Sequence, residues 1–324
     1  MADIDYRPLG KSGLIVSTVG LGCNNFGRAG TATETQAGTD AVIHEAIDAG
    51  VTFLDGADIY GKERGLSETL MGNTLKGYRD QIVLATKFGM DMDGTNGPDW
   101  GARASRRYIR RAVEASLTRL QTDWIDLYQL HEPDGVTPIE ETLATLDDLI
   151  AEGKIRYIGH SNLAGWQIAE AEFTAALAGH PRFISAQNEY NLLTREPEKE
   201  ILPAVNAYGL GFLPWFPLYN GLFTGKFSRN GGPAESRIMR TRSHLQENAP
   251  WDTIERYEQF CADHGVTMLA ATFAWLLAQP GLTSVIAGAT KPEQIIQNVD
   301  AAASWKPTAE DIDQISQIFA PATV

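Results

Sequence analysis

The nine residues FLDGADIYG, Phe53 to Gly61, set two aspartates and a tyrosine directly behind an apolar run. Asp55 and Asp58 have the type and spacing to hold a metal or cap a helix. Asp55 and Tyr60 could equally do proton chemistry, and each reading needs partners from elsewhere in the chain. Further polar residues end other apolar runs: Lys87 in IVLATK, His131 in WIDLYQLH, Ser161 and Asn162 in IRYIGHSN, Gln187 in ISAQNEY and Trp215 in LGFLPW. Capping of a strand end accounts for any one of them taken alone. It accounts poorly for Lys87, which ends a Val/Leu strand where an ammonium is partly buried and needs a carboxylate. Asp55, on the neighbouring strand, is the candidate partner.

Tyr, Lys, Asp and His together suit proton donation to a carbonyl that is receiving a hydride. Tyrosine, with a pKa of about 10, is a poor acid at neutral pH. A neighbouring ammonium stabilises the phenolate and lowers that value. An aspartate keeps the lysine charged and fixed, and a histidine orients a carbonyl oxygen or shares the proton. The competing metal site would use Asp55, Asp58, His131 and Glu132. Lys87 and Tyr60 would crowd a cation there, so no metal is expected.

Eight β-rich runs position these residues: 17–23, 52–57, 82–87, 124–131, 155–162, 184–190, 210–215 and 284–289. Amphipathic stretches alternate with them, the clearest being TPIEETLATLDDLIAEG. There Thr137 is the predicted N-cap, Pro138 the first helical residue and Glu140 the capping-box partner. Ile139, Leu143, Leu146 and Ile150 form one stripe at helical spacing, and Gly153 supplies the stop. Strands alternating with helices imply parallel pairing. The pattern predicts an α/β fold, a (β/α)8 TIM barrel spanning 1–324 as one domain, with its strand ends converging on one mouth. The leading DYRPLGKSGLIVS predicts an N-terminal β-hairpin cap over the barrel bottom. Helices are predicted near 292–303 and 308–319, the second an extra C-terminal one. The longest intervals between strands, 88–104 and 219–250, both open onto the face where barrel enzymes build their sites.

Composition narrows the partners. A net charge of −14 disfavours nucleic acid and anionic lipid, while a small anionic ligand would need its own cluster of Lys and Arg. No run approaches the ~18 apolar residues of a membrane span. The N-terminus MADIDYRPLG is acidic where a signal peptide is basic, and the cysteines are only Cys23 and Cys261. A cytoplasmic location without a membrane partner is the expectation. GLGCNNFG imitates the glycine-rich dinucleotide fingerprint, but Asn25 takes its third glycine and no acidic strand end follows about 20 residues on.

On these residues the chain resembles the aldo-keto reductases. FLDGADIYG with SETLMG is similar to that family's aspartate-and-tyrosine segment, LATKFG to its lysine strand, LYQLHEPD to its histidine strand and IGHSNL to its carboxamide-binding turn. SAQNEYNLL, WFPLYNGLFTGKF and IAGATKPEQIIQNV resemble its later cofactor segments. The resemblance implies that Tyr60 is the general acid, that Lys87 and Asp55 depress its pKa, and that His131 orients the substrate carbonyl. Ser161, Asn162 and Gln187 would hydrogen-bond the nicotinamide carboxamide, and Trp215 would stack on the ring. Phe216, Pro217, Leu218 and the backbone of 219–222, Asn220 included, would line the pyrophosphate, with Lys226 and Arg237 near the phosphates. Gly288, Thr290, Gln294, Gln297 and Asn298 would hold the adenosine end. Arg237 against a 2′-phosphate favours NADP(H), with NAD(H) as the alternative.

Departures from the family pattern are Gly56 for Thr after the aspartate, Phe216 for Ser, and Gln294 and Gln297 for Arg and Glu. Gln294 also occurs in the branch akin to potassium-channel β subunits. Phe26, Phe88, Trp100 and Tyr219 suggest an apolar or aromatic pocket for a small carbonyl or alcohol substrate. The implied activity is reversible, NADPH-dependent carbonyl reduction. The second implied reading is a cofactor-binding regulatory or sensor subunit with vestigial turnover. Asp58 is then left to shape the turn.

Overall fold

Runs of apolar and β-branched residues separated by helical stretches become strands and helices in a computed structural model, which describes residues 4–320. The ends of the expected 1–324 domain lie outside the described residues. β1 (Tyr6–Pro8) and β2 (Ile15–Ser17) pair antiparallel as the predicted hairpin. β3 (Val19–Gly22), β4 (Phe53–Asp55), β5 (Val83–Phe88), β6 (Ile125–Leu130), β7 (Ile155–Ser161), β8 (Ser185–Gln187), β9 (Gly211–Phe212) and β10 (Val285–Gly288) form one parallel sheet. Its order runs from β10 through β3 to β9 in sequence. Phe212 N–H donates to Gly281 O at 2.8 Å and Thr283 N–H to Phe212 O at 2.9 Å. These bonds join β9 to the segment entering β10, so the sheet curls into an α/β barrel of the predicted kind.

All eight expected runs contain a barrel strand, but most strands end earlier than the apolar pattern does. The residues beyond each end leave the ladder and build the mouth. Inside the barrel, Phe53, Ala85, Leu127, Leu213 and Ile286 pack with Leu9 and Val16 of the hairpin segment. The hairpin thus plugs the end opposite the mouth.

The helix Ile139–Ala151 shows how the outer layer is held. Leu143, Leu146 and Leu149 are fully buried, and each such burial stabilises by about 1.5–3 kcal/mol. Its start differs from expectation, because Pro138 is the N-cap and no side chain caps the helix. Thr137 instead gives its backbone N–H (2.8 Å) and hydroxyl (2.7 Å) to Asp134, which satisfies both. Gly153, at φ +76°, provides the left-handed stop. The helices Pro292–Ser304 and Ala309–Ile318 stand where the sequence predicts them. The 219–250 interval carries a 3-10 turn, Tyr219–Thr224, and the short helices Arg237–Thr241 and His244–Glu247.

Candidate active site

Asp55 is the last residue of β4, and Lys87 lies one strand over on β5, opposite Gln129 of β6. Lys87 Nζ donates to Asp55 Oδ2 at 2.6 Å and to Gly56 O at 2.9 Å. Both side chains are sealed from solvent. Burial alone would drive the proton off Lys87. Asp55, helped by Tyr60, reverses that, and the ammonium is held above its ordinary value.

The other oxygen of Asp55 is also engaged. Oδ1 accepts from Gln129 Nε2 at 3.0 Å and from Gln187 Nε2 at 3.2 Å, and Gln187 reaches Gln129 Oε1 at 3.4 Å. Gln129 lies outside the set of strand-end residues that the sequence pattern singles out. Its signal was present: in the buried strand IDLYQL it shares the inward parity of Leu127 and His131, where an unpaired amide would be costly. As placed, the Gln187 amide nitrogen serves Asp55.

Tyr60 follows a turn closed by its own N–H to Ala57 O, at 3.2 Å. Its ring centroid lies 5.4 Å from Lys87 Nζ and 6.0 Å from the His131 ring, edge to face at 86°. The resemblance implies that Lys87 and Asp55 depress the Tyr60 pKa. The balance runs the other way. Burial is the largest influence and raises it, Lys87 opposes that, and Asp55 adds to it, so the hydroxyl sits above 10. His131 is held well below its usual 6.5, by burial first and then by Lys87, so its imidazole is neutral at neutral pH. Its Nδ1 is buried without a hydrogen-bond partner among the described residues.

The expected nicotinamide residues share one side of the mouth. Ser161 Oγ donates to Gln187 O at 2.8 Å, and Asn162 Nδ2 to His131 O at 3.0 Å. Trp215 Nε1 donates to Asn162 Oδ1 at 3.2 Å, and its ring meets Phe216 edge to face. Asn162, Phe216, Tyr219 and Asn220 all hold left-handed backbone, with φ of 60°, 50°, 46° and 59°. Such conformations cost about 1–3 kcal/mol each in non-glycine residues and persist where the surroundings enforce them, typically at ligand sites.

Pro217 is buried and Leu218 half-buried behind that turn, while Lys226 is exposed. Arg237 Nε is buried without a partner among the described residues. At the far end, Gln294 Oε1 accepts from Thr290 N (2.7 Å) and Lys291 N (3.2 Å), which secures the helix start. Gly288 borders Asn25 so closely that an added Cβ would stand 2.9 Å from its Nδ2. Asn298 is buried and Gln297 exposed. These groups fit a dinucleotide: a cationic side chain with a free donor, strained backbone along the turn, and a glycine where bulk is excluded.

The aromatic set divides. Phe26 and Phe88 are fully buried core residues, Phe88 packed 4.7 Å from Tyr128, so as placed they present no face to a ligand. Trp100 is 72% exposed beneath Arg107, and Tyr219 is half-buried at the mouth. Asp58 is buried too, and burial raises its pKa well above 3.8. One oxygen accepts from Asn96 at 3.3 Å and the other finds no partner among the described residues. Among the described residues no group of three or more His, Cys, Asp or Glu could hold a metal ion.

A parallel barrel with a buried Lys–Asp pair beneath a tyrosine and a neutral histidine at its mouth defines a class of barrel oxidoreductases. Residues 18–320 match the aldo/keto reductase family, and the chain belongs to it. It is 36% identical over 305 residues to the uncharacterized oxidoreductase YrpG of Bacillus subtilis (strain 168), covering 92% of this chain and 91% of that one. It is 34% identical over 308 residues to a probable voltage-gated potassium channel subunit beta of Oryza sativa subsp. japonica, at 92% and 91% coverage. The versiconal hemiacetal acetate reductase of Aspergillus parasiticus is 32% identical over an alignment of 347 positions, covering 99% and 98%.

Proposed function

We propose that this protein reduces aldehydes or ketones to alcohols, reversibly, with NADPH as the preferred cofactor and Tyr60 as the general acid. The observation that carries the reading is the convergence of Tyr60, His131 and the Lys87–Asp55 pair at one end of the barrel. NADPH would supply the hydride. Ser161, Asn162 and Gln187 would hold its carboxamide, Trp215 its ring, and the 216–220 turn with Lys226 and Arg237 its phosphates. Gly288, Thr290, Gln294, Gln297 and Asn298 would hold the adenosine.

The neutral imidazole of His131 can donate one N–H to the substrate oxygen and fix its orientation. With its pKa above 10, the Tyr60 hydroxyl stays loaded with its proton at every physiological pH. An alkoxide is far more basic than tyrosinate, so transfer to it is downhill even from a weak acid. The Lys87 ammonium then stabilises the tyrosinate left behind, and Asp55 keeps that ammonium in place.

The test has two steps: NADPH titrated against tryptophan fluorescence, then absorbance followed with a reactive aromatic aldehyde. Turnover insensitive to chelator supports the reading, and absence of cofactor binding overturns it. Binding without turnover would favour the regulatory alternative, which rests on the likeness to a protein named as a probable channel β subunit.

A further inference from the structure

Arg237 and Arg242 bring their guanidinium carbons within 5.4 Å and 5.2 Å of the Phe216 ring centroid. Arg28 comes from the segment after β3, its guanidinium anchored on Asn24 O through Nη2 at 2.9 Å and Nε at 3.3 Å. The two segments touch: Arg240 Nη1 donates to Gly30 O at 2.5 Å.

The three cations are close enough to oppose one another. Arg237 is lowered to about 10, by burial first and then by Arg28 and Arg242. Arg28 is lowered by burial and then by Arg242, and both Arg28 and Arg237 feel Tyr60. Such an arrangement normally brings a carboxylate with it. Arg79, Arg119 and Arg195 each have one at 2.7–2.8 Å. No ion pair is formed by Arg28, Arg237 or Arg242 among the described residues. Glu189 feels Arg242 only at longer range. Arg242 finds a neutral acceptor, Asn220 Oδ1 at 3.3 Å, and Arg237 Nε has none. Partly buried cations with an idle buried donor favour an incoming anion.

We propose that Arg237 and Arg242, which flank Phe216 beside the mouth, act together with Arg28 from the segment after β3 to bind a phosphate or carboxylate group of the site's ligand. This extends the carbonyl-reductase reading and assigns roles to Arg28 and Arg242 that the cofactor roles leave open. Two sources carry that chemistry: the phosphates of the dinucleotide, or an acidic group on the carbonyl substrate.

The experiment compares the intact chain with Arg28→Gln and Arg242→Gln, with Arg28→Lys as a charge-preserving control and melting temperature as the folding check. The first probe is inorganic pyrophosphate, titrated by calorimetry, which needs no turnover. Losing one charge-assisted contact should weaken it about tenfold or more, and the lysine variant should recover part of that. NADPH affinity that falls in parallel, with the preference for 4-carboxybenzaldehyde over 4-methylbenzaldehyde unchanged, identifies the cofactor as the source. A KM rising only for the carboxylated aldehyde identifies the substrate. If the intact chain binds no pyrophosphate, and both variants keep NADPH affinity and both KM values within about twofold, the proposal is overturned. Failure of the reductase reading alone would show instead as pyrophosphate binding that depends on Arg28, without turnover.

Discussion

Lys87 Nζ and Asp55 Oδ2 meet at 2.6 Å in a part of the barrel that solvent does not reach. The pair is held on every side: Lys87 also donates to Gly56 O, and Asp55 accepts from Gln129 and Gln187. Removing one partner of a buried ion pair strands the other charge, at a cost of about 3–5 kcal/mol. Lys87→Met should therefore lower the urea midpoint strongly as well as abolish reduction. In the double variant Lys87→Met/Asp55→Leu, stability should recover only partly, because Gln129 and Gln187 then lose their acceptor. Full recovery would show that the glutamine bonds contribute nothing.

Gln129→Leu keeps the strand pattern and removes one donor from Asp55. A hydrogen bond to a charged group contributes about 1.5–3 kcal/mol, and the added apolar burial offsets part of its loss. We expect a measurable drop in unfolding free energy and in kcat, with NADPH affinity lowered only slightly. An unchanged kcat would remove Gln129 from the positioning of Asp55 and Lys87.

Tyr60→Phe deletes one hydroxyl and leaves the ring in contact with His131. General acid catalysis contributes about 10²- to 10⁴-fold, so aldehyde reduction should fall by that amount while NADPH titrates as in the unaltered protein. Retained turnover would mean that another group gives the proton.

The pH–rate profile follows from the directions of three shifts. Tyr60 and Lys87 are both raised, so their protonated forms persist through neutral pH and are lost only as pH climbs past 10. His131 is lowered well below 6.5, so its neutral form covers the same range. Reductase activity should be flat from pH 7 to about 10 and then fall. A descending limb near neutrality would contradict the assigned acid.

His160 sets a limit on the acid side. It is fully buried on β7 against Phe183, both ring nitrogens lack partners among the described residues, and burial lowers its pKa to about 3. The native state keeps it neutral while the unfolded chain takes up a proton below 6.5. Stability therefore falls as pH drops from 6.5 toward 3, by up to about 1.4 kcal/mol per pH unit from this group, and levels off below. Denaturant midpoints between pH 7 and 5 should decline less steeply in His160→Phe. Parallel declines would place the acid sensitivity elsewhere.

The strand-and-helix order was legible because strands of a parallel barrel are buried on both faces and read as apolar runs. The polar residues stood out because they interrupt those runs at one end, and a lysine on such a strand demands a carboxylate wherever the chain can bring one. Asp55, Lys87 and His131 were visible for that reason. Gln129 was legible only through its parity with Leu127 and His131, which turns it inward, and that its partner is Asp55 depended on the fold. The turn before Ile139 likewise depended on Asp134, whose oxygens take Thr137 out of its expected capping role.

What the sequence by itself determined is the set of chemical groups and the barrel that gathers them, since both follow from local pattern. Only the tertiary structure decided how those groups behave. It buried Phe26 and Phe88 in the core, and it turned the Tyr60 shift upward because desolvation outweighs one ammonium. It also brought Arg28 alongside Arg237 and Arg242 from the opposite end of the chain. Burial and long-range charge belong to the folded arrangement in three dimensions, and no stretch of neighbouring residues contains them.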